Sequence, residues 1–219
     1  MSGDRRIGTV ISDFGGVLTT PLIQSFLAFQ DQTGISMEAL GKAMGKLADR
    51  DGTHPLFELE TGRIAEVDFL EQMAGALEPE LGHRPEMHRF KEIYFEALQP
   101  NPPMIELMRE LRSAGKRMAL LTNNVREWEP LWRSMLPVDE IFELVVDSAF
   151  VGCRKPEPEI YEITLERLGV PAGECLFVDD VEDNCGAARA LGMATVHFRD
   201  NEQAIAELRA ALDGRSGAA

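Results

Sequence analysis

The sequence predicts an α/β fold: a parallel sheet covered on both faces by helices, with a helical block inserted after the first strand. Three observations carry this expectation. A short β-branched run, IGTVISD at 7–13, reads as a buried strand. From about 20 to 100 the apolar residues recur at helical spacing, with no convincing strand. After QPNPP at 99–103, strand-like and helix-like segments alternate, which is the pattern of a parallel sheet with crossover helices.

In chain order, the strand at 7–13 is followed by helices expected over 21–31, 36–49, 66–77 and 85–98. Turn-forming GTHP, ETGR and GHRP separate them. This acidic block is small for an independent domain, so it reads as a helical subdomain (20–99) inserted into a core formed by 1–19 and 100–219. The core continues with a helix at 103–114, a strand at 117–122 (RMALLT), a helix at 127–135 and a strand at 143–147 (ELVVD). A helix at 157–168, a strand at 175–180 (CLFVDD), a helix at 184–191, a strand at 194–198 (ATVHF) and a helix at 202–213 complete a Rossmann-like order.

Composition bounds the function. Of 219 residues, 44% are apolar and 27% charged, an ordinary balance for a globular protein with a normal core. Thirty-seven acidic residues against 22 basic ones give a net charge of −15. A field of that sign repels nucleic acid and anionic membranes, so neither is expected as a partner. It also repels phosphorylated substrates, so an anion site must carry local positive charge. Most of the excess acid reads as solvated helix surface. Cys153, Cys175 and Cys185 have no paired short spacing, which fits a reducing compartment. No stretch reaches the roughly 18 apolar residues of a membrane helix. The opening MSGDRRIG lacks an apolar signal core, so a cytoplasmic location is expected. The closing DGRSGAA is small and polar and is expected to fray. A homodimer is one option left open.

Three predicted strands end in polar groups: Asp13, Thr122–Asn123–Asn124, and Asp179–Asp180. Ligands of open parallel sheets bind beyond the carboxyl ends of the strands, so neighbouring strands would bring these groups to one crevice. GCRKPEP at 152–158 places Lys155 before a proline and a helix start, within reach of the same crevice.

These four pieces, in this order, resemble the haloacid dehalogenase superfamily, aspartate-nucleophile hydrolases of which most are phosphatases. The core matches at about 5–20 and 100–213, and the helical block resembles the cap inserted after the first motif. FELETGRIAEVDFLEQM at 57–73 is similar to the cap stretch of the branch that contains sugar-phosphate phosphatases and the phosphatase domain of epoxide hydrolases. The resemblance implies that Asp13 is the nucleophile, and a carboxylate attacking phosphorus splits one hard displacement into two easier ones. It implies Mg²⁺ held by Asp13, the Gly15 carbonyl and Asp180. Hard oxygen ligands suit this ion, and a divalent cation reverses the repulsion between two carboxylates and a phosphate. Thr122 and Asn123 are implied to hold the phosphoryl group, and Lys155 to balance its charge and that of the nucleophile. Many members read D-x-x-x-D from the metal aspartate. In DDVEDN, Asp180 takes that place and Asn184 the second; Asp179 or Asp183 takes over if the alignment shifts by one residue. With Asp180 in the first place, Asn184 is implied to hold a metal-bound water or Lys155 rather than bring a charge.

One position departs from the pattern. Most phosphatases of the family carry an acid/base aspartate two residues after the nucleophile, where this chain has Gly15, followed by Gly16. General acid–base catalysis is typically worth about 10²–10⁴-fold. Three readings follow: a substrate with a good leaving group, such as an anomeric sugar phosphate; a substitute acid such as Glu182, Asp183 or His54; or weak turnover, leaving a phosphate-binding protein. The implied function is a Mg²⁺-dependent phosphomonoester hydrolase acting through an aspartyl-phosphate on a small phosphorylated metabolite, with a sugar phosphate as one option. The alternative from the same family is a metal-independent 2-haloacid dehalogenase. His54, His83 and His88 read as solvated or capping residues. Trp128 and Trp132, four apart, share a face and read as packing residues rather than substrate-stacking ones.

Overall fold

Alternate residues of a strand face opposite sides of a sheet, and here that alternation sorts the apolar residues into two cores. The computed structural model describes residues 7–214, so MSGDRR, RSGAA and most of the tail expected to fray lie outside it. Five strands, β1 (Thr9–Ser12), β2 (Arg117–Thr122), β3 (Leu144–Asp147), β4 (Cys175–Asp179) and β5 (Ala194–His197), pair in parallel in the order 3-2-1-4-5. Ile11, Leu121 and Phe177 point into one core, whereas Val10, Leu120 and Val178 point into the other. Because all strands run the same way, their carboxyl ends share one edge, with central β1 flanked by β2 and β4.

Between β1 and β2 lie five insert helices and one core helix: α1 (Ile23–Thr33), α2 (Met37–Asp51), α3 (Pro55–Glu60), α4 (Glu66–Leu81), α5 (Phe90–Ala97) and α6 (Pro102–Ser113). Beyond β2 come α7 (Glu129–Ser134), α8 (Val138–Ile141), α9 (Ser148–Val151), α10 (Pro158–Leu168), α11 (Glu182–Ala190) and α12 (Asn201–Leu212). Among the described residues no helix is long and apolar enough to cross a membrane. The two passages between insert and core are laced together. Thr20 N–H donates to Gln99 O at 2.8 Å, and Asn101 N–H to Leu18 O at 2.8 Å. Insert and sheet share one apolar cluster, in which Phe29, Met73 and Phe90 are continuous with Val10, Phe14 and Trp132.

Several elements differ from expectation for local reasons. α3 lies between the GTHP and ETGR turns, where the spacing predicts no helix, because Pro55 at a first helical position starts a helix rather than ending one. α4 runs past 77 to Leu81 despite Pro79, which costs one hydrogen bond near the helix end. The helix expected at 127–135 is a 3₁₀ turn, Arg126–Trp128, followed by α7 with Pro130 in its first turn. The helix expected at 85–98 begins only at Phe90. β1 and β4 each stop one residue early, leaving Asp13 and Asp180 just beyond the strands.

A buried carboxylate ties insert to core. Glu66, at the start of α4, accepts from Trp128 Nε1 and from Lys91 Nζ, each at 2.8 Å. Replacing it strands the buried Trp128 indole N–H, so Glu66→Ala is expected to cost about 1–3 kcal/mol. Glu66→Gln, whose amide oxygen still accepts from Trp128, is expected to cost less. Urea midpoints followed by tryptophan fluorescence test this, and an unmoved midpoint in Glu66→Ala would rule out the tether.

Candidate active site

The C-terminal edge of the sheet gathers the charged residues singled out above. Asp13 follows β1 directly and continues its ladder, its N–H donating to Val178 O at 2.9 Å. Lys155 arrives from the loop between α9 and α10 and is 1% exposed. Its Nζ donates to Asp13 Oδ1 at 2.6 Å and to Asp179 Oδ2 at 2.7 Å. Asn123 places it: the amide oxygen accepts from Lys155 N–H at 2.8 Å, and the amide nitrogen donates to Lys155 O at 2.9 Å. Burial opposes the charge on Lys155, yet Asp13 and Asp179 hold the ammonium above the ordinary lysine range.

Adjacent Asp179 and Asp180 point to different tasks. Asp179 is fully buried, and both of its oxygens are engaged. Oδ2 takes Lys155, while Oδ1 accepts from Val181 N–H at 2.8 Å and Asn184 Nδ2 at 2.9 Å. Asp180, half-buried, faces the turn after Asp13. A Cβ on Gly16 would lie 2.2 Å from Asp180 Oδ2, and Gly16 has φ +78°, so this position requires glycine. Asn184 braces Asp179 rather than contacting Lys155. Asp183 is exposed on the first turn of α11 and stands apart from the cluster.

Carboxylate oxygens of Asp13, Asp179 and Asp180 lie within 4.8 Å of one another. Three carboxylates against one ammonium leave two negative charges in excess. Burial pushes the Asp13 carboxyl above its usual range, with Lys155 opposing and Asp179 and Asp180 adding to the rise. Asp180 is raised by burial and then by Asp179. The donor set fits a hard divalent cation: Asp180 faces the turn, and among the described residues neither Asp13 Oδ2 nor the Gly15 carbonyl accepts a hydrogen bond.

At Gly15 the space is filled from elsewhere. A Cβ built there would meet Leu22 Cδ1 at 3.0 Å. None of Glu182, Asp183 and His54 lines the cavity at the sheet edge; the carboxylate that does is Glu60. Glu60 is paired with Arg154 at 2.6 Å, and the Arg154 guanidinium lies 3.9 Å over the Phe57 ring. Sequence reasoning missed this pair, although Arg154 directly precedes Lys155. It also missed His197, whose Nε2 lies 3.1 Å from Asp180 O. Trp128 and Trp132 pack as expected and also line this cavity. His54 stacks on Phe57 with centroids 4.6 Å apart, while His83 and His88 are exposed. The three thiols are free and buried. Burial raises Cys153 and Cys175 to about 11 and Cys185 to about 12, which suits packing rather than nucleophilic chemistry.

Thr122 ends β2 beside Asp13 and is buried. Next to it, Asn124 N–H donates to Ser148 Oγ at 3.0 Å. The edge thus gathers three carboxylates and one buried ammonium, with the Thr122 hydroxyl at the end of the neighbouring strand.

A family model described as haloacid dehalogenase-like hydrolase matches residues 7–192. Phosphatase MT3486 of Mycobacterium tuberculosis is 31% identical over 193 residues, covering 85% of each chain. Bifunctional epoxide hydrolase 2 of Sus scrofa is 30% identical over 90% of this chain and 37% of its own length. The chain spans between a fifth and two fifths of the first curated relatives it matches. A solved enzyme of the same superfamily from Bacteroides thetaiotaomicron, in complex with magnesium and inorganic phosphate, shares the fold. Its TM-score is 0.66 at 22% identity, over 88% of this chain and 94% of that one. With a match spanning most of its length and the charged edge just described, the chain belongs to the haloacid dehalogenase-like hydrolase family.

Proposed function

We propose that this chain is a Mg²⁺-dependent phosphomonoester hydrolase that works through an aspartyl-phosphate on Asp13. The observation carrying this reading is the Asp13 carboxylate at the carboxyl edge of the sheet, held at Oδ1 by Lys155 and clustered with Asp179 and Asp180. The relation to a mycobacterial phosphatase across 85% of both chains supports it. Asp13, Asp180 and the Gly15 carbonyl would hold the ion. When bound, the ion neutralises the excess charge of the site and of the phosphoryl oxygens.

In the first half-reaction an Asp13 oxygen bonds to phosphorus, the ester P–O bond breaks, and the leaving oxygen takes a proton from water. In the second, water attacks phosphorus, gives its proton to solvent, and restores the Asp13 carboxylate with release of phosphate. Lys155 and the Thr122 hydroxyl steady the transferring group, and Asp179 holds Lys155 in line. Asn123 acts by fixing the Lys155 backbone, since both ends of its amide are engaged there. The helices over 20–99 form a cap that shields the site from bulk water. Without a cation, three carboxylates would repel a haloacid as they repel a phosphate, so this charge balance favours the phosphatase over the metal-independent dehalogenase.

Phosphate release from a panel of monoesters and acetyl phosphate tests the reading. Turnover is expected with Mg²⁺, to vanish with EDTA, and to fall by roughly 10³-fold or more in Asp13→Asn. Turnover that survives EDTA, or that survives in Asp13→Asn, would sink it. The missing acid has its own test. Gly15→Asp alone forces the new side chain against Leu22. Its gain in kcat is therefore expected to be about tenfold larger in a Leu22→Ala background, a fraction of the roughly 10²–10⁴-fold that acid–base catalysis supplies. Equal gains in both backgrounds would show that Leu22 does not occupy the acid's place.

A further inference from the structure

The charged edge and the space behind it make different demands on a substrate. A cavity of about 200 Å³ is lined at one end by Gly15, Thr122 and Asn123, residues that follow β1 or end β2 close to Asp13 in the chain or the sheet. Behind that mouth all five insert helices contribute hydrocarbon: Phe26 from α1, Leu40 from α2, Leu59 from α3, Met73 from α4 and Phe90 from α5.

The polar groups reaching this wall are largely spoken for. Asn123 is engaged at both ends by Lys155, Asn124 Oδ1 accepts from Val125 N–H at 2.9 Å, and Glu60 is paired with Arg154. What remains for a ligand beyond the phosphoryl group is the Tyr94 hydroxyl, the Asn124 amide nitrogen, the unpartnered Trp132 Nε1 and the second Glu60 oxygen, few for a wall this large. A sugar would bring several hydroxyls into this space, and each one left without a partner costs roughly tenfold in affinity. A hydrocarbon loses nothing by leaving water. An apolar cavity of about 150 Å³ stays dry and accepts benzene, so this one suits a group of about eight to ten carbons. Met44, Met73 and Met87 give it walls that adapt to irregular shapes.

We infer that the cavity holds the hydrocarbon part of the substrate, and that this protein acts on phosphate monoesters of apolar alcohols rather than on sugar phosphates. The inference rests on the phosphomonoester reading above, so its test includes a binding arm that needs no turnover. Binding of methyl, butyl, octyl and dodecyl phosphonate in the presence of Mg²⁺ is read from tryptophan fluorescence, since Trp128 and Trp132 line the cavity. Affinity is expected to rise by up to about fourfold per methylene as far as octyl, and then to level off. In parallel, kcat/KM for octyl phosphate is expected to exceed that for glucose 6-phosphate and glyceraldehyde 3-phosphate by about tenfold or more. Met73→Trp, which fills the cavity, is expected to erase most of the octyl-over-methyl preference. Should that variant not fold, the chain-length series on the unaltered protein decides. A flat binding series, or a folded Met73→Trp that keeps the preference, overturns the inference. Mg²⁺-dependent turnover favouring sugar phosphates overturns it while leaving the phosphatase reading intact. A steep binding series without turnover of any ester upholds the apolar site and overturns the phosphatase reading.

Discussion

One buried ammonium organises the site. Lys155 Nζ lies between Asp13 and Asp179 at 2.6 and 2.7 Å, with no bulk water to share its charge. A buried ion pair that loses one partner typically costs about 3–5 kcal/mol, because the remaining charge is stranded. The three residues therefore hold one another in place. The bracing continues outward: Asn123 grips the Lys155 backbone, and Asn184 with Val181 N–H saturates the far oxygen of Asp179. Asn123 directly follows β2, whereas Val181 and Asn184 belong to the start of α11, so sheet and helix together fix the position of one carboxylate.

The turn after Asp13 shows how space is rationed around that carboxylate. Gly16 lets the chain run against Asp180, where any side chain would collide. At Gly15 the neighbour is Leu22, from the start of the insert, so a side chain there would have to displace that leucine. The same leucine belongs to the wall of the apolar cavity. The packing beside Gly15 and the apolar lining thus share one side chain.

The insert is bound to the sheet by polar ties as well as by its apolar face. Its two passages are laced by Thr20, Gln99 and Asn101. Glu66 reaches Trp128, Glu60 reaches Arg154, and Ser148 Oγ donates to Glu60 O at 2.5 Å. The last two ties run to the segment that delivers Lys155. Contacts made by the insert therefore bear on the charged edge as well as on the cavity behind it.

Much of this was legible in the residues alone. The alternation after residue 100 identified the parallel sheet, and parallel strands oblige Asp13, Thr122 and Asp179–Asp180 to share an edge. What the sequence did not determine concerns residues that meet across space. Asp179 and Asp180 are equivalent in composition; strand alternation turns one toward Lys155, and the end of β4 frees the other to face Gly16. No periodicity shows that Leu22 fills the space beside Gly15, that Glu60 rather than Glu182 lines the cavity, or that Trp128 and Trp132 face it. Local spacing encodes helix, strand and turn, because those depend on neighbours a few residues away. Asp13 and Lys155 are separated by 142 positions and meet only through the packing of the whole sheet, which is why the tertiary structure alone settles how they are placed.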